Sequence, residues 1–211
     1  MLQYFSYLTL FIGIVPIIIF WIYRSRLHIE AYYFLPFITL LACSTLYEFV
    51  GTLILKVDVT PWFWIYLLLE FYTLTYFFVR LSINRNLAWI FAIFFGMLYI
   101  VLAFFRNSRN DLLYEGYLST FSFVTFLCFV VLWFRKLFEK LSYPNLLDNH
   151  LFYFVVGIMV YFAGTIFLFL LSDVIYNDQK ESFPGFWMLN VLFSFIFRVL
   201  IIIGIWKSRK E

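Results

Sequence analysis

Apolar positions in this chain neither alternate nor recur as a narrow stripe; they run on without a break. Seven such runs can be drawn: Phe5–Tyr23, Ala31–Leu55, Pro61–Val79, Leu87–Phe105, Leu118–Phe134, Leu151–Leu171 and Phe186–Trp206. A helix needs about 17–25 mostly apolar residues to cross a hydrocarbon core roughly 30 Å thick, and every run meets that need. A membrane β-barrel would instead show short segments of alternating apolar and polar residues. The pattern predicts an all-α, polytopic membrane protein with seven transmembrane helices. No loop is long enough to fold by itself, so residues 1–211 form a single domain.

Local signals sharpen the ends of these runs. Thr60 can cap the third helix, with Pro61 at its first position, where a missing N–H costs nothing. The inner connection RKLFEKLSYPNLLDNH carries the fifth helix past the membrane until Pro144 stops it, and Asp148 or Asn149 can cap the sixth. Pro16 lies inside the first run and should kink it. Trp21, Trp62, Trp64, Trp89, Trp133, Trp187 and Trp206 fall near run ends, as an aromatic belt at the two interfaces requires.

Charge sets the orientation. One set of run ends holds Arg24, Arg26, Arg80, Arg85, Arg135, Lys136, Lys140, Lys207, Arg209 and Lys210, and the other holds only Lys56, Arg106, Arg109 and Lys180. Basic residues concentrate on the cytoplasmic side, so the N-terminus is expected outside and the C-terminus inside. Met1–Leu10 lacks the basic start of a secretory signal, and the first helix is expected to stay in the mature chain. The outer loops carry Asp58, Asp111, Glu115, Asp173, Asp178 and Glu181, which ordinary solvation explains.

Composition agrees with the pattern. The 211 residues are 65% hydrophobic and only 13% charged, about half the charged share of soluble domains. With 31 Phe and 16 Tyr much of the bulk is aromatic, which lipid-facing packing or a biased codon composition would account for. The net charge of +3 is small and sits at helix ends, so no nucleic-acid surface is expected. Cys43 and Cys128 fall inside runs and act as small apolar residues rather than as a disulfide or metal pair.

Against this background three ionisable residues stand out inside runs: Glu48, Glu70 and Arg198. Each costs on the order of 2.5 kcal/mol or more at mid-bilayer, so each should face the bundle interior, a cavity or a partner. At about 1.5 Å per residue, Glu48 and Glu70 lie about 12 and 13 Å below the outer boundary and Arg198 about 21 Å. Arg198 can reach up to Glu70 or snorkel to the cytoplasmic interface. Polar neighbours share their helical faces: Ser44, Thr45, Gly51 and Thr52 with Glu48, Tyr66 and Thr73 with Glu70, and Asn190 and Ser194 with Arg198. Gly157, Tyr161, Gly164 and Thr165 form a fourth such face. The candidate ligand-binding or ion-coupling residues are therefore Glu48, Tyr66, Glu70, Thr73, Tyr161, Asn190, Ser194 and Arg198. Membrane helices use the same residue types simply to pack, so a structural core network competes with an outward-opening pocket.

Catalytic templates fit poorly. His28 and His150 both sit at the cytoplasmic boundary, so the multi-histidine metal site of seven-helix ceramidases and adiponectin-receptor hydrolases cannot assemble within the bilayer. The seventh run has no lysine for a retinal Schiff base. Gly-rich phosphate loops and a G-x-S-x-G elbow are missing. No catalytic residue, metal or cofactor is expected.

The segments IYLLLEFYTLTYFF (65–78), YFAGTIFLFLLSD (161–173) and FWMLNVLFSFIFRVLIIIGIWK (186–207) resemble an uncharacterised family of seven-helix bacterial integral membrane proteins. That resemblance implies a bacterial inner-membrane location and, for members encoded near sensor histidine kinases, a sensing or accessory role with the kinase as partner. It also implies an acidic residue early in the fifth helix, where this chain has Ser119-Thr120-Phe121. The functional expectation is a non-enzymatic protein that senses a ligand or assists signalling through an intramembrane polar pocket. The alternative is a small proton- or cation-coupled transporter, favoured by the intramembrane carboxylates and by a faint repeat. Pro61-Trp62 and Pro184-Gly185-Phe186-Trp187 open the third and seventh helices alike. An intramembrane lipid-modifying enzyme ranks below both.

Overall fold

The computed structural model describes residues 2–57, 60–81, 83–106, 111–140, 146–178 and 183–209. Helix α1 (Leu2–Tyr23) continues through Pro16. Then come the short α2 (Ile29–Tyr32), α3 (Leu35–Tyr47), a π-helical segment (Glu48–Ile54), α4 (Thr60–Arg80), α5 (Arg85–Phe104) and α6 (Asp111–Lys140). The chain closes with α7 (His150–Leu170), the short α8 (Ser172–Asp178) and α9 (Phe183–Lys207). Six helices are long and apolar enough to cross a membrane, and a shorter apolar helix covers Leu35–Gly51. The protein is thus helical and multi-pass, suited to a lipid bilayer.

Ring contacts fix the packing order. Tyr47 stacks on Trp62 at 4.8 Å and Phe34 meets Phe77 at 4.7 Å, so α3 and α4 run antiparallel. Phe71 stacks on Phe95 at 3.9 Å while Trp64 meets Tyr99 at 5.6 Å, which reverses α5 relative to α4. The same alternation continues from α6 to α7 through Phe123–Phe162 and Phe134–Phe152, and from α7 to α9, where Gly164 faces Phe193 and Phe154 faces Gly204. Helices α1 and α9 run parallel, because Tyr23 meets Trp206 at 5.9 Å and Leu27 bridges to Arg209. Leu2 and Lys207 therefore lie at opposite ends of the bundle.

The phenylalanines do more than face lipid. The largest fully buried side chains are all phenylalanines, Phe34, Phe71, Phe77, Phe126 and Phe154 among them. Between helices surrounded by apolar tails, packing rather than water exclusion drives association, and rings interlock over large areas with little rotamer freedom to lose. Glycines let the rings in. A Cβ on Gly157 would come within 2.9 Å of the Phe197 ring, and one on Gly164 would strike the Phe193 ring.

The second expected helix, Ala31–Leu55, is broken in two places. A turn at Tyr33–Phe34 precedes α3, with Pro36 in its first turn, and the last stretch widens into the π segment. There Leu55 N–H donates to Val50 C=O and Val57 N–H to Gly51 C=O, both at 2.9 Å, with Lys56 at φ 51° ending the segment. The fifth expected helix begins at Asp111, earlier than Leu118, and α8 was not foreseen. The Thr60 cap, the acidic Asp58 and Glu181, and the stop at Pro144 lie outside the described residues and side chains.

Asn149 is the cap of α7: its side chain accepts from Leu151 N–H at 2.9 Å. Asn149→Ala is expected to lower stability by about 1 kcal/mol. Thermal unfolding in detergent checks this, and an unchanged midpoint would remove the cap from the account.

Candidate functional site

Arg198 is the centre of the polar interior. It sits fifteen residues into α9, is 9% exposed, and donates through Nη1 to the backbone carbonyl of Thr9 on α1. Its Nε, also buried, finds no hydrogen-bond partner among the described residues. Counting back from the touching pair Tyr23 and Trp206, Thr9 lies about 21 Å and Arg198 about 12 Å from that end. The side chain is therefore extended toward the N-terminal ends of α1 and α9. Neither of the two outcomes left open by the sequence occurs, since Arg198 does not snorkel toward Trp206 and forms no ion pair with Glu70.

Two small residues make room for this extension. A Cβ at Gly13 would overlap Thr45 Oγ1 and lie 3.1 Å from the Arg198 guanidinium, so α1 approaches both only because position 13 is bare. Thr45 donates its hydroxyl to Leu41 C=O at 2.8 Å within α3.

The carboxylates differ in their settings. Glu48 opens the π segment, keeps more than a third of its surface exposed and lies within the electrostatic reach of Arg198. Glu70 is 3% exposed on α4 and accepts a hydrogen bond from Tyr66 Oη at 3.2 Å, one turn earlier on the same helix. No basic side chain pairs with Glu70 among the described residues. Tyr66 and Tyr161 both lie within the electrostatic reach of Glu70 and Arg198, and Tyr161 Oη donates to Asn190 Oδ1 at 3.4 Å. Side chains from α3 with its π segment, α4, α7 and α9, together with the α1 backbone, thus converge on one region.

No known protein family, curated protein or solved structure matches this chain.

Two of the sequence candidates stand apart from that cluster. Thr73 uses its hydroxyl on Leu69 and Glu70 carbonyls at 2.7 and 3.1 Å, within its own helix. Ser194 is half-buried on α9, and no side-chain hydrogen bond joins it to the others among the described residues. Other polar groups escaped the sequence reading. Glu115, assigned to an outer loop, is a buried residue in the second turn of α6. Ser119, fully buried one turn on, and Ser122 continue its face. The spacing of four and then three from Glu115 to Ser119 and Ser122 was the available signal, lost when the helix was trimmed to its most apolar part.

At the opposite end His28 and His150 stack with ring centroids 5.4 Å apart, and His150 Nε2 lies 3.5 Å from Glu30 Oε2. The sequence placed both histidines at this boundary without bringing them together. Cys43 and Cys128 are free thiols on exposed faces of separate helices.

Proposed function

We propose that this chain is a non-enzymatic multi-pass protein of a bacterial inner membrane that senses a ligand, or assists a signalling partner such as a sensor kinase, through the polar cluster around Arg198. In this reading the chain crosses the bilayer seven times, with α3 and its π segment as the second crossing. The N-terminus is outside and the C-terminus cytoplasmic, as the basic residues at alternate ends favour. The resemblance to seven-helix bacterial membrane proteins points the same way.

One observation carries the proposal: a buried arginine is drawn toward the half of the bundle that holds the N-terminal ends of α1 and α9, where Glu48, Tyr66, Tyr161 and Asn190 also gather. A guanidinium held off the interface costs free energy that snorkelling to the headgroup region would avoid. π segments recur at functional positions, where the extra residue per turn re-aims a side chain, and this one starts at Glu48.

The second reading, a proton- or cation-coupled transporter, is favoured by Glu70, a buried carboxylate met by a tyrosine hydroxyl rather than by a cation. Proteoliposomes enclosing a pH-sensitive dye separate the two under an imposed gradient. Sensing predicts no proton flux above that of protein-free vesicles. Flux that Glu70→Gln abolishes would replace sensing with transport.

A further inference from the structure

The C-terminal ends of α1 and α9 meet in a compact basic and aromatic corner that the cluster around Arg198 does not use. After α1 the chain makes a 3₁₀ turn, Arg24–Arg26, held by Tyr32 Oη donating to Arg24 C=O. The following backbone pairs with the end of α9: His28 N–H donates to Ser208 C=O at 2.9 Å, and Leu27 bridges Arg209. Two chain segments far apart in sequence are thereby locked side by side. Arg209 lies 3.2 Å above the Trp206 ring and 4.8 Å from that of Tyr23, and Arg24 lies 5.3 Å from the Trp21 ring.

Charge at this corner is unbalanced. Lys207 is 3.5 Å from Asp148, and Glu30 Oε2 lies 3.5 Å from His150 Nε2 without a hydrogen bond. Among the described residues no carboxylate pairs with Arg24, Arg26 or Arg209. Arg24 and Arg26 are exposed, while the face running from them into the span is apolar: Ile18, Trp21 and Ile22 are 51%, 58% and 65% exposed. Cations thus sit at the edge of a surface made for hydrocarbon, with tryptophan rings at the level where headgroups begin. An acidic protein segment would satisfy the arginines and leave that apolar face uncovered.

We infer that this corner is a binding site for an anionic phospholipid, its phosphate on Arg24 and Arg26 and its acyl chains along the Ile18–Ile22 face. Arg209, held between two rings, is a fixed third charge behind them. The inference rests on the membrane location alone and is independent of the function proposed for Arg198.

The test uses the purified full chain in mixed micelles holding equal phosphatidylglycerol and phosphatidylcholine, with retained lipids counted by native mass spectrometry. Each juxtamembrane cation contributes a few-fold to anionic-lipid affinity, so retention should favour phosphatidylglycerol by on the order of tenfold. R24A/R26A should bring the preference close to parity, and R24K/R26K, which keeps the charge and guards against a folding defect, should retain it. Inorganic phosphate should not displace the lipid. Parity in the unaltered protein would overturn the inference, as would an undiminished preference in R24A/R26A. Displacement by inorganic phosphate would make this a free-anion site, and displacement by an acidic peptide would make it a protein-docking site.

Discussion

Arg198→Leu is expected to lower stability by about 1.5–3 kcal/mol, the net worth of a hydrogen bond made by a charged group. The Thr9 carbonyl would keep its helical N–H and lose the guanidinium, and Glu48 would lose the cation in its field. The second arm of the experiment is more informative than the first. Replacing both members of an ionic arrangement by apolar side chains removes the attraction and the desolvation cost together, so Glu48→Leu added to Arg198→Leu should recover part of the loss. Thermal unfolding of the four proteins in one detergent gives the double-mutant cycle. If the two losses simply add, Glu48 and Arg198 are independent and the cluster is not one unit.

Gly13→Leu should be comparably damaging for a steric reason. The Cβ alone would overlap Thr45 Oγ1 and crowd the guanidinium, and three further carbons have no space between α1, α3 and α9. Overpacking costs typically 1–3 kcal/mol, and about 3 kcal/mol is expected where backbones approach this closely. Gly13→Ala should cost less, with the arginine displaced from Thr9. A Gly13→Leu protein that unfolds at the unaltered temperature would mean that α1 does not pack on Arg198 as described.

Much of the architecture was legible because it depends on hydrophobicity summed over about twenty residues. The long apolar runs, their helical nature, the extension of α6 to Lys140 and the cap at Asn149 all follow from composition and local rules. The π segment was not legible. It needs one extra residue per turn, and nothing in Glu48-Phe49-Val50-Gly51 announces that against an ordinary helix. Glu115 was missed because trimming α6 at Leu118 discarded a buried acid along with the surface residues around it.

The candidate site divides in the same way. Glu48, Glu70 and Arg198 were identifiable because a charge inside an apolar run is costly whatever the fold. Their partners were not, because Arg198 donates to a backbone carbonyl 189 positions earlier in the chain, and every residue has such a carbonyl. Counting residues along helices placed Arg198 too deep to choose between Glu70 and the interface. The choice was made by Gly13, whose bare backbone opens a third direction. The phenylalanines were countable, but their use as the core follows from which helices touch.

The proposed sensing role requires that Glu48 and its neighbours be reached from the outer aqueous face. It is tested most directly by thiol accessibility in intact membrane vesicles of known sidedness. In a Cys43→Ala/Cys128→Ala background, Glu48→Cys and, separately, Tyr66→Cys should react with a membrane-impermeant maleimide added from outside. The rates should approach that of a cysteine placed in a loop. Reaction of both only with a membrane-permeant reagent would contradict the account and make the cluster a sealed structural core.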